Sequence, residues 1–231
     1  MKGTEHWTKK GDIKLFLWHK PSAAGGPRGT ILFVHGSSMA GQPTYDLQVP
    51  GRPHSSAMEW FAERHPDRVA RLALDAYVWT GKGSPTLAER TKKLPEFRKV
   101  NRRPIDRAFV RSIFSRDHPG CADERTIEAF ADAILALDDS VPTGTYVDMC
   151  SKLPVNDPQK ITAPTLVMRG EFDGIAGFDD LIEFFKRLPN PDKQFTVMAG
   201  ISHASFQQIN YLMAYHILHS FFAQPEPEYR G

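Results

Sequence analysis

Cysteine is scarce in this chain: 2 in 231 residues, Cys121 and Cys150. They stand far apart, with no histidine at zinc-ligand spacing, so neither a disulfide framework nor a zinc site is expected. Long apolar runs are also missing; none nears the ~20 residues of a membrane span. Charge of one sign is missing too. The 29 Lys and Arg face 27 Asp and Glu, a formal +2 at pH 7. That balance supplies no broad field for nucleic acid or anionic lipid. The opening MKGTEHWTKKGDIK has no apolar core of a signal peptide. These absences give the expectation of a cytoplasmic protein in a reducing compartment. They call for no metal, no cofactor, no nucleic acid and no membrane span.

Aromatic residues are plentiful, with 15 Phe, 6 Tyr and 4 Trp. Disorder is therefore excluded as the main state. The length suits one large domain, or a domain with an insertion. Ile13 to Trp18 reads as a short strand, and Pro21 to Gly29 as a turn. Thr30 to Val34 is apolar on both faces, as a buried parallel strand is. Ser56 and Glu59 form a capping box for a helix ending near His65-Pro66. Val69 to Ala76 is a further strand. From Tyr77 to about Asn156 charge rises and helical spacing dominates. Ile127, Phe130, Ile134 and Leu137 make one stripe there. Strands return at Thr165–Arg169 and Gln194–Ala199, with helices at Asp179–Leu188 and Ala204–Phe222. Strands alternating with helices indicate an α/β fold, a mostly parallel sheet flanked by helices. The expected division is core over 1–76 and 157–222, a helical lid over 77–156, and a disordered tail over 223–231.

Three loops stand at strand ends, where α/β sheets place ligands. His35-Gly36-Ser37-Ser38 can aim backbone N–H groups at a ligand oxygen. Arg169-Gly170-Glu171-Phe172-Asp173-Gly174 sets an acid just past a strand, although Asp is also a common turn residue. Gly200-Ile201-Ser202-His203 sets a histidine between the last strand and the last helix. His216 and His219 share a helix face and read as a solvated or packed pair. His65 precedes a proline, where a helix-end role suffices.

In this order the loops resemble the α/β-hydrolase superfamily, of the esterase and lipase type. The phrase His65-Pro66-Asp67-Arg68-Val69, the helical insertion and the motif GISHASF add to the likeness, which spans about residues 10 to 222. The resemblance implies Asp173 as triad acid and His203 as general base. It implies Ser37 and Ser38 as oxyanion or substrate-binding residues, and Asp75 as a second-ranked alternative acid. In such a triad the acid orients the imidazole and stabilises its cation, while the imidazole takes the nucleophile's proton. The implied partner is a small apolar ester-like molecule. The lid aromatics Trp79, Phe97, Phe109 and Phe114 fit either an apolar pocket or lid core.

The nucleophile that the resemblance requires is absent. No G-x-S-x-G occurs in the chain. Only about 30 residues separate His35-Gly36 from His65-Pro66, roughly the span of one βα unit. On that spacing roughly 60 to 75 residues of the family pattern are absent, by a deletion in the gene or an imperfect gene model. The expected consequences are three. The chain is a hydrolase by lineage but inactive as written, or a non-catalytic small-molecule-binding module using the lid pocket. The sheet has about six strands, with Ile31–Val34 beside Val69–Leu74. Asp173 and His203 lie within hydrogen-bonding reach.

Overall fold

The computed structural model describes residues 2–21, 32–34, 36, 44–47, 49–57, 71–225 and 227–228. Its N-terminal part is an antiparallel hairpin of β1 (Thr4–Lys10) and β2 (Ile13–His19). Gly11 supplies the positive φ of 61° that the two-residue turn requires. Trp7 and Phe16 pair edge-to-face across the strands. The hairpin is tied down at its end by Asp46, whose carboxylate accepts from Trp18 Nε1 and Lys20 Nζ, both at 2.7 Å.

Three parallel strands carry the rest: β3 (Leu72–Asp75), then β6 (Thr165–Gly170), then β7 (Lys193–Met198), in the spatial order β3-β6-β7. All six residues of β6 are buried. Its alternation explains the layering. Leu166 and Met168 face α7 (Tyr211–Ala223), packing with Tyr215 and Phe221. Val167 faces α6 (Phe178–Arg187), packing with Leu181 and Phe184. A strand covered on both faces reads as continuous apolar sequence, which is what TLVM supplies.

Residues 77–156 hold five helices and one strand pair. These are α1 (Pro85–Lys92), α2 (Leu94–Phe97), β4 (Arg102–Pro104), α3 (Arg107–Ser115), α4 (Glu124–Leu135), β5 (Ser140–Pro142) and α5 (Gly144–Ser151), with β4 antiparallel to β5. Ser84, Asp106 and Asp123 cap α1, α3 and α4 through their side chains. The α3–α4 pair packs about Phe114 and Phe130, whose rings meet edge-to-face.

The fold class is the expected α/β one, and the details differ in places. Leu32 and Val34 are each 74% exposed and lie in no strand. The Val34 carbonyl accepts from the Tyr45 hydroxyl at 2.7 Å, so a side chain takes the bond that a strand neighbour would make. Pairing of Ile31–Val34 with Val69–Leu74 is accordingly not seen; Ile31, Val69 and Ala70 lie outside the described residues. The parallel sheet has three strands among the described residues, not six. Leu137 is 56% exposed, beyond the end of α4, because the stripe closes at Ile134. The last helix starts at Tyr211, seven residues later than expected. The helix expected from Ser56 to His65 lies outside the described residues after Ala57.

Candidate active site

The site is built on the C-terminal ends of β6 and β7. Gly170 closes β6, and its lack of a side chain matters. A Cβ there would lie 2.3 Å from the carbonyl oxygens of both Ile201 and Ser202. The loop carrying His203 therefore rests directly on the end of β6. Two backbone bonds fasten it: Glu171 N donates to Met198 O and Phe172 N to Ile201 O, each at 2.9 Å. The Glu171 carboxylate also accepts from Gly200 N at 2.9 Å.

Asp173 follows on this turn, 6% exposed. Its Oδ1 accepts from Ile175 N at 2.8 Å and Ala176 N at 3.0 Å, which fixes the carboxylate. His203 Nδ1 lies 3.1 Å from that Oδ1 and 3.2 Å from Oδ2. Burial pushes the Asp173 pKa up. The His203 charge, the bond from its ring and the two backbone donors outweigh burial and hold the group below the ordinary carboxylate value. With the Nδ1 edge on a carboxylate, Nε2 is the edge left for proton transfer.

Residues that sequence reading gave no role hold this pair. Arg169 is buried and donates from Nε to Ala176 O at 3.1 Å and from Nη2 to Asp173 O at 2.8 Å. It braces the acid loop from within. Gln208 closes the histidine loop: its Nε2 donates to Ser202 Oγ at 2.9 Å, and its Oε1 accepts from Ser202 N at 3.3 Å. Ser202 is fully buried by this arrangement. The only sequence sign was for Arg169, an Arg-Gly at a strand end; Gln208 fell inside the expected last helix and carried no sign of its role.

Asp75 ends β3 and does not partner the imidazole Nδ1; Asp173 does. Ser205 Oγ donates to Asp75 Oδ1 at 3.0 Å. Burial drives the Asp75 pKa up to about 7, with the Ser205 bond and His203 opposing and Asp173 assisting. The next residue, Ala76, has φ of 52°, a left-handed conformation unusual for a residue with a Cβ. Such strain is concentrated at functional sites. Tyr45 is pushed above its ordinary value by burial and by Asp75. Ser37 and Ser38 lie outside the described residues, as does His35.

A cleft of about 670 Å³ opens in the 77–156 block, lined by Thr80, Ser84, Leu87, Met149, Cys150 and Leu153 among others, and by neither Asp173 nor His203. Ser84 Oγ, at its rim, donates to Gly174 O at 3.2 Å, so the cleft abuts the acid loop. The aromatics Trp79 and Phe114 are core, not cleft lining. Cys121 and Cys150 are free thiols. Among the described residues no His, Cys, Asp and Glu cluster could hold a metal ion, and no helix is long and apolar enough to cross a membrane.

No family model and no curated protein matches the chain. Solved structures do. A soluble variant of monoglyceride lipase from Saccharomyces cerevisiae, in complex with a substrate analog, is 15% identical, with 96% of each chain covered and a TM-score of 0.60. A bromoperoxidase from Bacillus anthracis is 12% identical, with 96% of this chain and 100% of that chain covered and a TM-score of 0.55. At these identities the likeness speaks to fold alone, and the fold is that of the α/β-hydrolases.

Proposed function

We propose that Asp173 and His203 are the acid and base of a hydrolytic triad whose nucleophile this chain lacks. The lineage is one of hydrolases acting on ester or related carbonyl bonds of small apolar molecules. The observation that carries this reading is the 3.1 Å contact between His203 Nδ1 and Asp173 Oδ1 at the edge of the parallel sheet. A neutral imidazole so oriented can take a proton from an attacking hydroxyl and return it to a leaving alcohol. Ser37 and Ser38, after His35-Gly36, would supply the oxyanion loop. Residues 77–156 would serve as the lid, between core segments 1–76 and 157–222. Two free thiols accord with a cytoplasmic setting.

The absent G-x-S-x-G decides the activity. Loss of the nucleophile costs about 10⁶ in rate in a serine protease. The chain as written is therefore inactive toward esters. The test is hydrolysis of short p-nitrophenyl esters by the wild type and by His203→Ala. Equal background rates are expected. A rate that His203→Ala abolishes, and that Ser37→Ala or Ser38→Ala also abolishes, would overturn the proposal. A second reading, a non-catalytic binding module, is favoured by one feature: the 670 Å³ cleft stands beside the Asp173 loop without including the pair.

A further inference from the structure

We propose that the β1–β2 hairpin docks on anionic lipid headgroups, with Trp7, Leu15, Phe16 and Leu17 at the level of the headgroups and Lys9 and Lys14 on the phosphates. The reading concerns this hairpin alone and does not rest on the catalytic pair.

Asp46 holds the hairpin through Trp18 and Lys20. Further along, the ribbon leaves large apolar side chains in water. Trp7 is 62% exposed, and Leu15, Phe16 and Leu17 are between 41% and 45% exposed. The register assigns their faces. Trp7 stands opposite Phe16 and Lys9 opposite Lys14, and these two pairs share one face. His6 with Leu17 and Thr8 with Leu15 make the other. Apolar surface is thus exposed on both faces of one ribbon, and contiguous exposed patches of this kind mark interaction sites. A two-stranded ribbon with little of either face buried is marginal in water, so a covering medium also favours the hairpin itself.

Charge identifies the covering medium. Residues 2–20 hold five lysines and two acids, Glu5 and Asp12. Asp46 neutralises Lys20 at 2.7 Å. That leaves +2 on residues 2–19, equal to the formal charge of the whole chain. The overall balance of charge hides this local excess. Lys9 and Lys14 are exposed and directly opposite each other, an arrangement that repels until an anion stands between them. Lysine stems lie along apolar surface while their ammonium groups reach phosphate. Tryptophan suits the boundary between water and hydrocarbon. A nucleic-acid strand stacks its bases on aromatic rings, which leaves the aliphatic Leu15 and Leu17 without a role. A second copy of the hairpin would set one lysine pair against another. A rigid partner covers one face of a ribbon, whereas a fluid headgroup layer receives side chains from both.

The experiment is flotation of the full chain at low salt with two kinds of vesicle, phosphatidylcholine alone and phosphatidylcholine with about 30% phosphatidylserine. The anionic vesicles are expected to bind about tenfold or more tightly than the neutral ones, and added salt should narrow the difference. Trp7→Ser with Phe16→Ser should weaken binding to both kinds. Lys9→Gln with Lys14→Gln should erase the preference for the anionic vesicles and leave binding to neutral ones unchanged. Equal affinity of the wild type for the two vesicles, or no binding to either, would overturn the proposal whether or not the variants fold. So would undiminished binding in Trp7→Ser with Phe16→Ser. A thymidine oligonucleotide that binds the wild type and displaces it from the anionic vesicles, with the loss of affinity confined to the lysine variant, would overturn the lipid and assign the surface to a nucleic acid.

Discussion

Asp75 and Asp173 carry the same side chain, and their surroundings drive them in opposite directions. Burial dominates at Asp75, where one hydroxyl donor offsets it only in part. At Asp173 two backbone donors and an imidazole overcome burial. The signs of their pH effects follow. Asp75 has a folded pKa of about 7, raised from 3.8. Its protonated form is favoured in the fold, so its contribution is complete below about pH 4 and is lost as pH rises through 7. Urea unfolding should then find the wild type losing stability between about pH 4 and 7 relative to Asp75→Asn, by up to a few kcal/mol, and no further above that. An identical pH dependence in the two proteins would show that the Asp75 carboxyl is solvated. Asp173 has a lowered pKa, so its contribution is present above the ordinary value of 3.8 and is lost as pH falls toward the folded value. Asp173→Asn keeps an acceptor for Ile175 and Ala176 but removes the charge beside His203. It should cost about 1–3 kcal/mol at pH 7 by urea unfolding, with the difference narrowing in acid.

The element that decides the site is the junction of β6 with the histidine loop, and Gly170 is its hinge point. Gly170→Ala places a methyl 2.3 Å from two backbone carbonyl oxygens, which cannot yield as a flexible side chain does. The loop must lift, at roughly 1–3 kcal/mol, and His203 must move away from Asp173. Thermal unfolding should report the cost, and the His203 ring resonances should shift. Unchanged resonances would mean that the loop is not seated on β6. Much of this element was legible in the sequence. The strand read at Thr165–Arg169 ends within one residue of the observed one, its burial on both faces being seen only in the structure, and the loops bearing acid and histidine follow their strand ends as expected. The rest depended on partners far along the chain. Ala204 to Asn210 has helix-compatible residues, but Ser205 is drawn to Asp75 and Gln208 to Ser202, so the helix waits until Tyr211. Thr4–Lys10 is too polar to announce a strand, and only its pairing with Ile13–His19 makes it one. Leu32–Val34 failed the other way: apolar sequence alone cannot supply a neighbour to bond with.

At the scale of the whole molecule, the 77–156 block must stay registered on the core that holds Asp173 and His203. Apolar packing accounts for part of this. Leu47 and Val49 share a buried cluster with Phe114 and Phe130, which binds the 44–57 segment to α3 and α4. The histidine loop enters that cluster only through Ala204, a small side chain with little area to bury. Arg52 makes the remaining link. Its Nη1 donates to Thr126 Oγ1 of α4 at 2.6 Å and to Gln207 O at 3.3 Å, while its Nη2 donates to Gln208 O. Its guanidinium lies 3.9 Å from the Tyr211 ring centre at the start of α7, and Asp123 stands 3.7 Å away. One buried cation thus joins the 44–57 segment, α4 and the loop after His203. Arg52→Ala would strip donors from two carbonyls and from Thr126 Oγ1, at roughly 2–3 kcal/mol. The expected signature is a loss of cooperativity as well as of stability. Hydrogen exchange in rising urea should find the amides of α4 and α7 opening together in the wild type. In Arg52→Ala those of α4 should open at lower urea than those of α7. If the two helices still opened together, the Leu47 and Val49 packing would be sufficient by itself to couple the block to the core.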